Sequence, residues 1–323
     1  MRTKNIVSVS GGKDSLATWL VAIERETEDV EVVFADTGHE HAQTYGYLEY
    51  LEARLGPIKR VRADFSKRIE HKREVVQTKW RNDGVSEVII ERALSVLHPT
   101  GNPFLDLCLW KGRFPSTRRR FCSEELKHKP IDDQVTKLAL ENCDFGEVWS
   151  WQGVRAQESP SRAKLQEMEE DRKHDGLMIY RPILKWTHEE VFAIAKRHGV
   201  DSNPLYKQGM GRVGCMPCIH CGKSEMREIS ARFPEEVERV AEWERLVSLA
   251  AKRQCSTLMD ARVVQRHLGL PPITSDTVTQ VTPSSHGIAQ YVSWAKTKHG
   301  GRAPDPLADA DVALCSSIYG LCE

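Results

Sequence analysis

Short apolar runs alternate with amphipathic stretches over the first part of the chain. Apolar and β-branched residues dominate positions 6–9, 31–35 and 58–61, as in buried strands. From Leu16, and again over residues 44–55, apolar residues recur three or four positions apart, which is typical of helices. Strands that alternate with helices in this way indicate a doubly wound α/β fold, a parallel sheet with helices on both faces.

The pattern is less regular after this region and becomes mainly helical towards the end. Strand-like residues return at 147–151 and 178–183, and Thr187 is expected to cap the helix that follows. We therefore expect two parts. The first is an α/β domain over residues 1–205, and the second is a mainly helical region over residues 206–323 that includes a cluster of cysteines.

Composition narrows the class of protein without indicating its partners. The chain has 323 residues, of which 40% are apolar and 28% charged, as in ordinary globular proteins. Lys and Arg together number 46, as do Asp and Glu, so the overall charge is neutral. No apolar run has the length of a membrane helix, and no signal peptide pattern is found. We expect a cytoplasmic protein without a membrane partner, in which the nine cysteines are thiols or metal ligands.

The first strand runs into a segment suited to binding a phosphate group. A glycine pair between a strand and a helix lets the backbone approach an anion, towards which the first helical amides point. The alternative interpretation is a plain turn between the two elements. The spacing differs from that of a Walker A loop. The segment, called the phosphate loop here, consists of Ser10, Gly11, Gly12, Lys13, Asp14 and Ser15.

Ser-Gly-Gly-Lys-Asp-Ser resembles the PP-loop of the adenine nucleotide α-hydrolase-like superfamily. The resemblance implies a Rossmann-like fold of the PP-loop type and an adenylyl nucleotide ligand, which many members cleave between the α and β phosphates. Further motifs are similar to those of phosphoadenosine phosphosulfate (PAPS) reductases, although Gln43 stands where glutamate is usual. These motifs are Asp36-Thr37-Gly38 with Thr44-Tyr45, Gly153-Val154-Arg155 with Glu158-Ser159 and Arg162, Arg181-Pro182-Ile183 with Trp186, and Asn203-Pro204-Leu205-Tyr206.

The resemblance also implies roles for individual residues. The loop would hold the nucleotide phosphates, and arginines would neutralise their growing charge. The predicted catalytic residues are Lys13, Asp14, Ser15 and Arg155. The predicted nucleotide-binding residues are these four together with Ser10, Gly11, Gly12, Asp36, Thr37, Gly38, Gly153, Glu158, Ser159 and Arg162.

A basic segment lies between residues 111 and 129, with seven Lys or Arg residues and only two glutamates. Because arginine binds phosphate or sulfate through two parallel hydrogen bonds, the segment predicts an anion clamp for the substrate. Its predicted members are Arg118, Arg119, Arg120 and Lys127. The segment could instead lie along a nucleic-acid backbone or be a solvated helix end, and a second basic run at 59–73 has the same alternatives.

Three cysteines spaced by three residues predict a metal centre. Thiolates on a tight turn suit an iron–sulfur cluster or zinc, the latter with His220 as a further ligand. The region around Cys122 resembles the first cysteine motif of iron–sulfur adenylyl-sulfate reductases, with Phe121 in place of one of two adjacent cysteines. We therefore predict a [4Fe–4S] cluster, with zinc as the alternative. The predicted ligands are Cys122, Cys215, Cys218 and Cys221.

Within this family, the chain resembles ATP pyrophosphatases of sulfur-transfer systems, including the iron–sulfur subunits of DNA phosphorothioation and tRNA-thiolating enzymes. That resemblance implies Mg–ATP as substrate, AMP and pyrophosphate as products, and an adenylated nucleic-acid acceptor. It also implies a sulfur-donor protein such as a cysteine desulfurase as partner. The oligomeric state is left open between a monomer and a homo-oligomer.

Two other functions use the same scaffold. A PAPS or adenylyl-sulfate (APS) reductase would release sulfite, but it needs a cysteine nucleophile, which the family places in a Glu-Cys-Gly-Leu-His tail. This chain ends without that tail, and only Cys315 or Cys322 could substitute. The third possibility is a non-catalytic nucleotide-binding or redox-sensing module that acts through a partner.

Overall fold

The computed structural model describes residues 2–141, 145–171 and 176–298, and a mostly parallel sheet organises its first part. The six strands run in the order β3-β2-β1-β4-β6-β5, and only β5 is antiparallel to its neighbour. This arrangement confirms the predicted α/β fold. The strands are β1 Arg2–Val9, β2 Val30–Asp36, β3 Ile58–Arg62, β4 Phe145–Trp151, β5 Met168–Glu170 and β6 Leu177–Tyr180.

Helices form most of the remaining described chain. They are α1 Lys13–Glu24, α2 Ala42–Leu55, α3 Ser66–Val75, α4 Glu87–Val96, α5 Pro103–Lys111, α6 Phe121–Ser123, α7 Lys129–Glu141, α8 His188–Arg197, α9 Pro204–Lys207, α10 Lys223–Arg232, α11 Pro234–Leu249, α12 Ala261–His267, α13 Pro283–His286 and α14 Ile288–Ala295. Two π-helical turns, Val76–Trp80 and Glu124–His128, interrupt the helical geometry. Within the described residues, no helix combines the length and apolar character needed to cross a bilayer.

Two apolar layers enclose the sheet because neighbouring strand residues point to opposite faces. Val7 and Phe34 join the larger layer, which also contains buried residues of α1, α2 and α8. Ile6 and Val33, one position earlier on the same strands, join the smaller layer with Val135 of α7. Helices therefore cover both faces of the sheet, as the alternation of strands and helices predicts.

The described residues divide into two compact units, neither of which is continuous in sequence. The first unit contains residues 2–62 and 127–215, with the whole sheet. The second contains residues 63–126 and 216–298 and is helical, with α4 and α5 packed against α11. The boundary predicted after residue 205 stays a prediction.

The predicted N-cap of α8 is present. The amide of Glu190 donates to the Thr187 hydroxyl at 3.3 Å, and the amide of Thr187 donates to the Glu190 carboxylate at 2.6 Å. This reciprocal capping box satisfies two helix-start donors. It begins α8 at His188, a residue of the candidate site described next.

Candidate functional site

The phosphate loop follows β1 and leads into α1 through a left-handed glycine. Gly11 has φ of +73°, and a Cβ at this position would lie 2.8 Å from Cγ2 of Thr44. The side-chain amide of Asn203 donates to the carbonyl of Gly11 at 3.1 Å. Only glycine fits this turn without strain or collision, so the first glycine of the pair fixes the path of the loop.

The start of α1 presents backbone donors that the protein leaves available. No side chain caps this helix, and among the residues the structure describes the amides of Gly12, Asp14 and Ser15 have no acceptor. The amide of Lys13 donates to the Tyr206 hydroxyl at 3.0 Å. Uncapped amides and the helix dipole make such a position favourable for an anion.

Two hydroxyl groups hold the two ends of the loop together. The Ser15 hydroxyl donates to the carbonyl of Gly12 at 2.9 Å and accepts from the amide of Ser10 at 3.0 Å. The oxygens of the two serine side chains are 3.2 Å apart. These side chains therefore maintain the loop conformation in addition to their predicted contact with phosphate.

A buried ion pair lies behind the loop. The guanidinium group of Arg155 is 1% exposed and donates from Nε to one carboxylate oxygen of Asp14. The other oxygen of Asp14 lies 3.0 Å from Nζ of Lys13. Asp14 is thus a bridge between two cations, and it fixes the position of the lysine that begins α1.

The loop after β4 packs directly against the phosphate loop. A Cβ at Gly153 would lie 2.8 Å from the carbonyl oxygen of Asp14 and 2.9 Å from Cα of Ser15, so only glycine allows this approach. Strands β1 and β4 are adjacent and parallel. The chain continues from β1 to β2 on one side of this pair, and from β4 to β5 and β6 on the other side. In open α/β sheets, ligands bind at the carboxyl ends of strands at such a switch point.

His188 lies beside the same group of charges. Nη2 of Arg155 is 3.4 Å from each ring nitrogen of His188. Burial, followed by the positive charges of Arg155 and Lys13, lowers the pKa of His188 below its usual value. A neutral imidazole at the start of α8 can accept a proton from a reacting group.

The remaining predicted residues of the β4 loop contact one another. One carboxylate oxygen of Glu158 accepts from the amide of Arg155 at 3.0 Å and from the guanidinium of Arg162. The Ser159 hydroxyl accepts from the amide of Arg162 at 3.3 Å. The structure therefore brings these residues together in the segment that positions Arg155.

The end of β2 is a separate polar cluster at the same edge of the sheet. Asp36 accepts from the amide of Gly38 at 2.9 Å and from the hydroxyl of Tyr45 at 2.7 Å. Thr37 is fully buried and donates to the buried carboxylate of Glu40 at 2.8 Å. Burial raises the pKa of the Tyr45 phenol, with the carboxylate of Glu40 as the next cause.

The predicted cysteine ligands occupy different surroundings. Sγ of Cys215, in the first unit, lies 3.7 Å from the Thr37 hydroxyl and 3.9 Å from a Glu40 oxygen. Cys122, Cys218 and Cys221 belong to the second unit, where the amide of Cys221 donates to the carbonyl of Cys218 at 2.8 Å.

The described residues contain no group of three or more His, Cys, Asp or Glu side chains arranged to hold a metal ion. The cluster and its zinc alternative stay predictions. Cys315 and Cys322 lie outside the described residues.

The residues of the predicted anion clamp are also divided between the two units. Arg118, Arg119 and Arg120 are exposed residues of the second unit, whereas Lys127 belongs to the first unit. Their assignment to the nucleotide stays a prediction.

Four residues of this region have no role that the sequence predicts. Tyr206 and Asn203 lie in a motif that resembles the family, but their contact with the phosphate loop spans more than 190 positions. His188 is an isolated histidine at a helix start, a position that has no local signature of chemistry. Glu40 follows the Asp36-Thr37-Gly38 motif, and only the fold shows that its carboxylate is buried.

Comparison with known proteins shows which family this chain is similar to. A model described as the phosphoadenosine phosphosulfate reductase domain matches residues 4–221. The chain is 55% identical over 333 residues to an uncharacterized 37.8 kDa protein in the gpa 5′ region of Escherichia phage 186, covering 99% of this chain and 97% of that protein. It is 28% identical to an adenosine 5′-phosphosulfate reductase from Burkholderia cepacia, covering 57% of each chain.

Among solved structures, a phosphoadenylyl-sulfate (PAPS) reductase from Candida auris in a phosphate complex matches with a TM-score of 0.39 and 17% identity, covering 66% of this chain and 81% of that one. The family model covers the phosphate loop, the β4 loop and all three closely spaced cysteines, and it ends at Cys221. The family binds adenylyl nucleotides, and the match spans more than half of the chain. This chain belongs to the phosphoadenosine phosphosulfate reductase domain family.

Proposed function

We propose that this chain is an ATP pyrophosphatase that adenylates an acceptor for sulfur transfer to nucleic acid. The observation that supports it is the uncapped start of α1, where the amides of Gly12, Asp14 and Ser15 have no acceptor among the described residues. Lys13 adds a positive charge beside these amides. A set of donors fixed before the ligand arrives is suited to a leaving pyrophosphate, because its charge grows during the reaction.

The proposed reaction has two displacements. An acceptor oxygen attacks the α-phosphorus of ATP, which enters as its Mg²⁺ complex. The bond between the α-phosphorus and its bridging oxygen to the β phosphate breaks, and the electron pair leaves with pyrophosphate. A sulfur nucleophile then attacks the adenylated acceptor and displaces AMP. In the first step the loop amides and Lys13 stabilise the leaving group.

Arg155 is proposed as a positioning residue in this reaction. Its guanidinium is almost fully buried and bound to Asp14, so it acts on the phosphates through Asp14 and Lys13. His188, held neutral by burial and by Arg155, is the proposed base. It would take the proton from the hydroxyl group of the molecule that becomes adenylated. Arg155 lies behind the phosphate loop and His188 lies beside Arg155, which is consistent with both proposed roles.

An adenylyl-sulfate reductase is the second candidate, because relatives with that name match this chain. In that reaction the same loop would hold the nucleotide, while a thiolate attacks the sulfur of the sulfate group. The bond from sulfur to the phosphate oxygen would break with release of AMP and leave an enzyme-bound S–SO3⁻ group. A second thiol would then attack the enzyme sulfur, which forms a disulfide and releases sulfite. The two candidates therefore differ in their products.

Product analysis distinguishes the two reactions. Anaerobically purified protein is offered ATP and adenylyl sulfate in parallel, each with and without DNA or tRNA, and its iron, sulfide and zinc contents are measured. We expect AMP and pyrophosphate from ATP. ADP and phosphate as the sole products would contradict the proposal, and sulfite from adenylyl sulfate would establish the reductase instead.

A matched pair of lysine variants assigns the activity to the loop. Lys13→Ala is expected to lower turnover of ATP at least 100-fold, since removing one preorganised donor costs about 10²–10³ in rate. Lys196→Ala removes an exposed lysine near the end of α8 in the same unit, outside both basic segments, and should retain turnover. Equal turnover in both variants would exclude Lys13 from the site.

A further inference from the structure

Three exposed arginines of the second unit have no carboxylate partner. Within the described residues, Arg118, Arg119 and Arg120 form no ion pair, and no acidic residue occurs between positions 107 and 123. Other exposed arginines of the same unit do have partners, such as Arg81 with Glu87 and Arg245 with Glu242. Arg118, Arg119 and Arg120 differ from isolated exposed arginines because they are consecutive, so three positive charges are concentrated on one short segment.

A tight turn presents these arginines. The amide of Arg119 donates to the carbonyl of Ser116 at 3.0 Å, and the amide of Ser116 donates back to the carbonyl of Arg119 at 3.2 Å. The reciprocal bonds close the turn around Thr117 and Arg118. The arginine side chains of the turn are exposed and can therefore reach a ligand.

Aromatic rings and further cations adjoin this turn in sequence and contact one another. Nζ of Lys111 lies 3.7 Å from the ring centroid of Trp110, and Cζ of Arg68 lies 4.5 Å from the same centroid. Cζ of Arg113 lies 5.8 Å from the centroid of Phe121, the residue that follows Arg120. Trp110 and Phe121 are only partly buried. We call these five residues the cation–aromatic surface.

We infer that the arginine turn and the cation–aromatic surface bind a single-stranded segment of nucleic acid, which is the acceptor class of the proposed function. Unpaired arginines bind successive phosphates through charge and hydrogen bonds. The partly exposed ring of Phe121 provides a stacking face for a base, whereas the ring of Trp110 is already stacked on Phe65 at 5.8 Å and helps to position the cations. A duplex keeps its bases stacked in its interior, so such a ring favours a single strand. This inference rests on the proposed function for the identity of the reaction, but the surface and the phosphate loop consist of different residues.

Equilibrium binding of the full-length protein tests the inference. A fluorescent 20-nucleotide single strand is titrated at several salt concentrations, in parallel with the matching duplex. The triple variant R118Q/R119Q/R120Q is expected to weaken binding at least tenfold and to reduce the salt dependence, because the slope for single strands is about 0.7 per phosphate contact. The matched control, R81Q/R232Q/R245Q, removes three ion-paired arginines from the same unit and should bind like the original protein.

A ring substitution tests the preference for single strands. Phe121→Leu is expected to weaken binding of the single strand about fivefold or more and to leave the duplex unchanged, because one stacked base contributes at least ~1 kcal/mol, or about fivefold in affinity. Thermal unfolding of each variant monitors the fold. If Phe121→Leu is unfolded, the arginine variants alone decide the outcome.

Each contrary result has a defined meaning. An equal loss of single-strand affinity in the two triple variants would show that net charge alone explains the effect, and this would overturn the inference. Absence of saturable binding near physiological salt would also overturn it. Displacement of the strand by ATP that depends on Arg118, Arg119 and Arg120 would assign them to the nucleotide instead. ATP binding and pyrophosphate release are measured on the same preparation. ATP turnover without strand binding refutes only this inference, whereas strand binding without turnover refutes only the proposed function.

Discussion

At the scale of single residues, the site depends on charges that the fold holds away from water. Asp14 is bound to the almost fully buried Arg155 and to Lys13. Removing one partner of a buried ion pair leaves the other charge uncompensated, which is more costly than the pair itself is stabilising. The same three residues can therefore serve stability and ligand binding, and the two effects need separate measurement in any variant.

Glu244 in the second unit is a buried carboxyl group that is held by backbone amides. Its side chain is 1% exposed and accepts from the amides of Leu258 and Ile288, each at 2.8 Å. Burial raises its pKa from 4.5 to about 7, although both backbone hydrogen bonds lower it. Because the raised pKa lies near neutrality, this carboxyl group titrates in the range where the protein would be studied.

We predict that Glu244 makes the protein less stable as pH rises. Its folded-state pKa exceeds the unfolded value, so the folded state binds more protons and the free energy of unfolding falls between about pH 4.5 and pH 7. The shift corresponds to a loss of about 3 kcal/mol. Urea unfolding at several pH values across this range measures the free energy of unfolding, which should fall as pH rises.

Glu244→Gln is the control for this prediction, because glutamine cannot titrate. It is expected to be less stable by about 1–3 kcal/mol at low pH, where one backbone amide loses its acceptor. Its pH profile should lack the Glu244 contribution, while the opposite contribution of His286, whose pKa is lowered by burial, remains in both proteins. Parallel profiles would contradict the prediction.

At the scale of elements, the site is a contact between two loops at neighbouring strand ends. Gly153 allows the loop after β4 to touch the backbone of Asp14 and Ser15. Since a Cβ there would meet backbone atoms, the collision cannot be relieved by turning a side chain. The loop holding Arg155 would have to move instead.

We therefore predict that Gly153→Ala weakens nucleotide binding by at least tenfold and lowers the free energy of unfolding by about 1–3 kcal/mol, as overpacking does. Gly46→Ala is the matched control, because Gly46 lies within α2 and an added Cβ has no neighbour within 4 Å. That change should stabilise the protein by up to ~1 kcal/mol. Calorimetric titration with ATP and urea unfolding measure both effects, and unchanged binding in Gly153→Ala would refute the role of this contact.

The sequence predicts these elements well where the signal is local. The glycine pair, the alternating strands and the Thr187 cap each depend on a few adjacent residues, and the structure contains all three. Tyr206 and His188 were not predicted to be in the site because their contacts arise only when distant segments pack. The π-helical turn at Val76–Trp80 likewise has no signature in the hydrophobic pattern.

At the scale of the whole chain, sequence order and compact units do not coincide. Residues 63–126 interrupt the sequence of the first unit, and they pack against residues after 216. The ring centroids of Phe104 and Trp243 are 5.6 Å apart, and the amide of Phe114 donates to the Ser256 hydroxyl at 3.2 Å. Hydrophobic periodicity identifies each helix separately but gives no information on such distant pairing.

Truncation after residue 205 tests the predicted continuous boundary. We expect the fragment 1–205 to expose the apolar sides of α4 and α5 that α11 covers, and therefore to bind a hydrophobic dye and lose cooperative unfolding. It also lacks Tyr206, whose hydroxyl accepts from Lys13. Limited proteolysis should cut it within residues 63–126. A fragment that unfolds cooperatively and resists cleavage there would support the continuous boundary.

The pairing of β1 with β4 has a consequence for biosynthesis. Arg2 is opposite Phe145, so the central strand of the sheet emerges from the ribosome long before one of its two neighbours. After β3, roughly 80 residues must still be made, which takes about 4–16 s at ordinary rates of translation. During that interval one edge of β1 lacks its partner strand. The nascent chain is therefore expected to depend on chaperones more than a protein of the same size with local contacts.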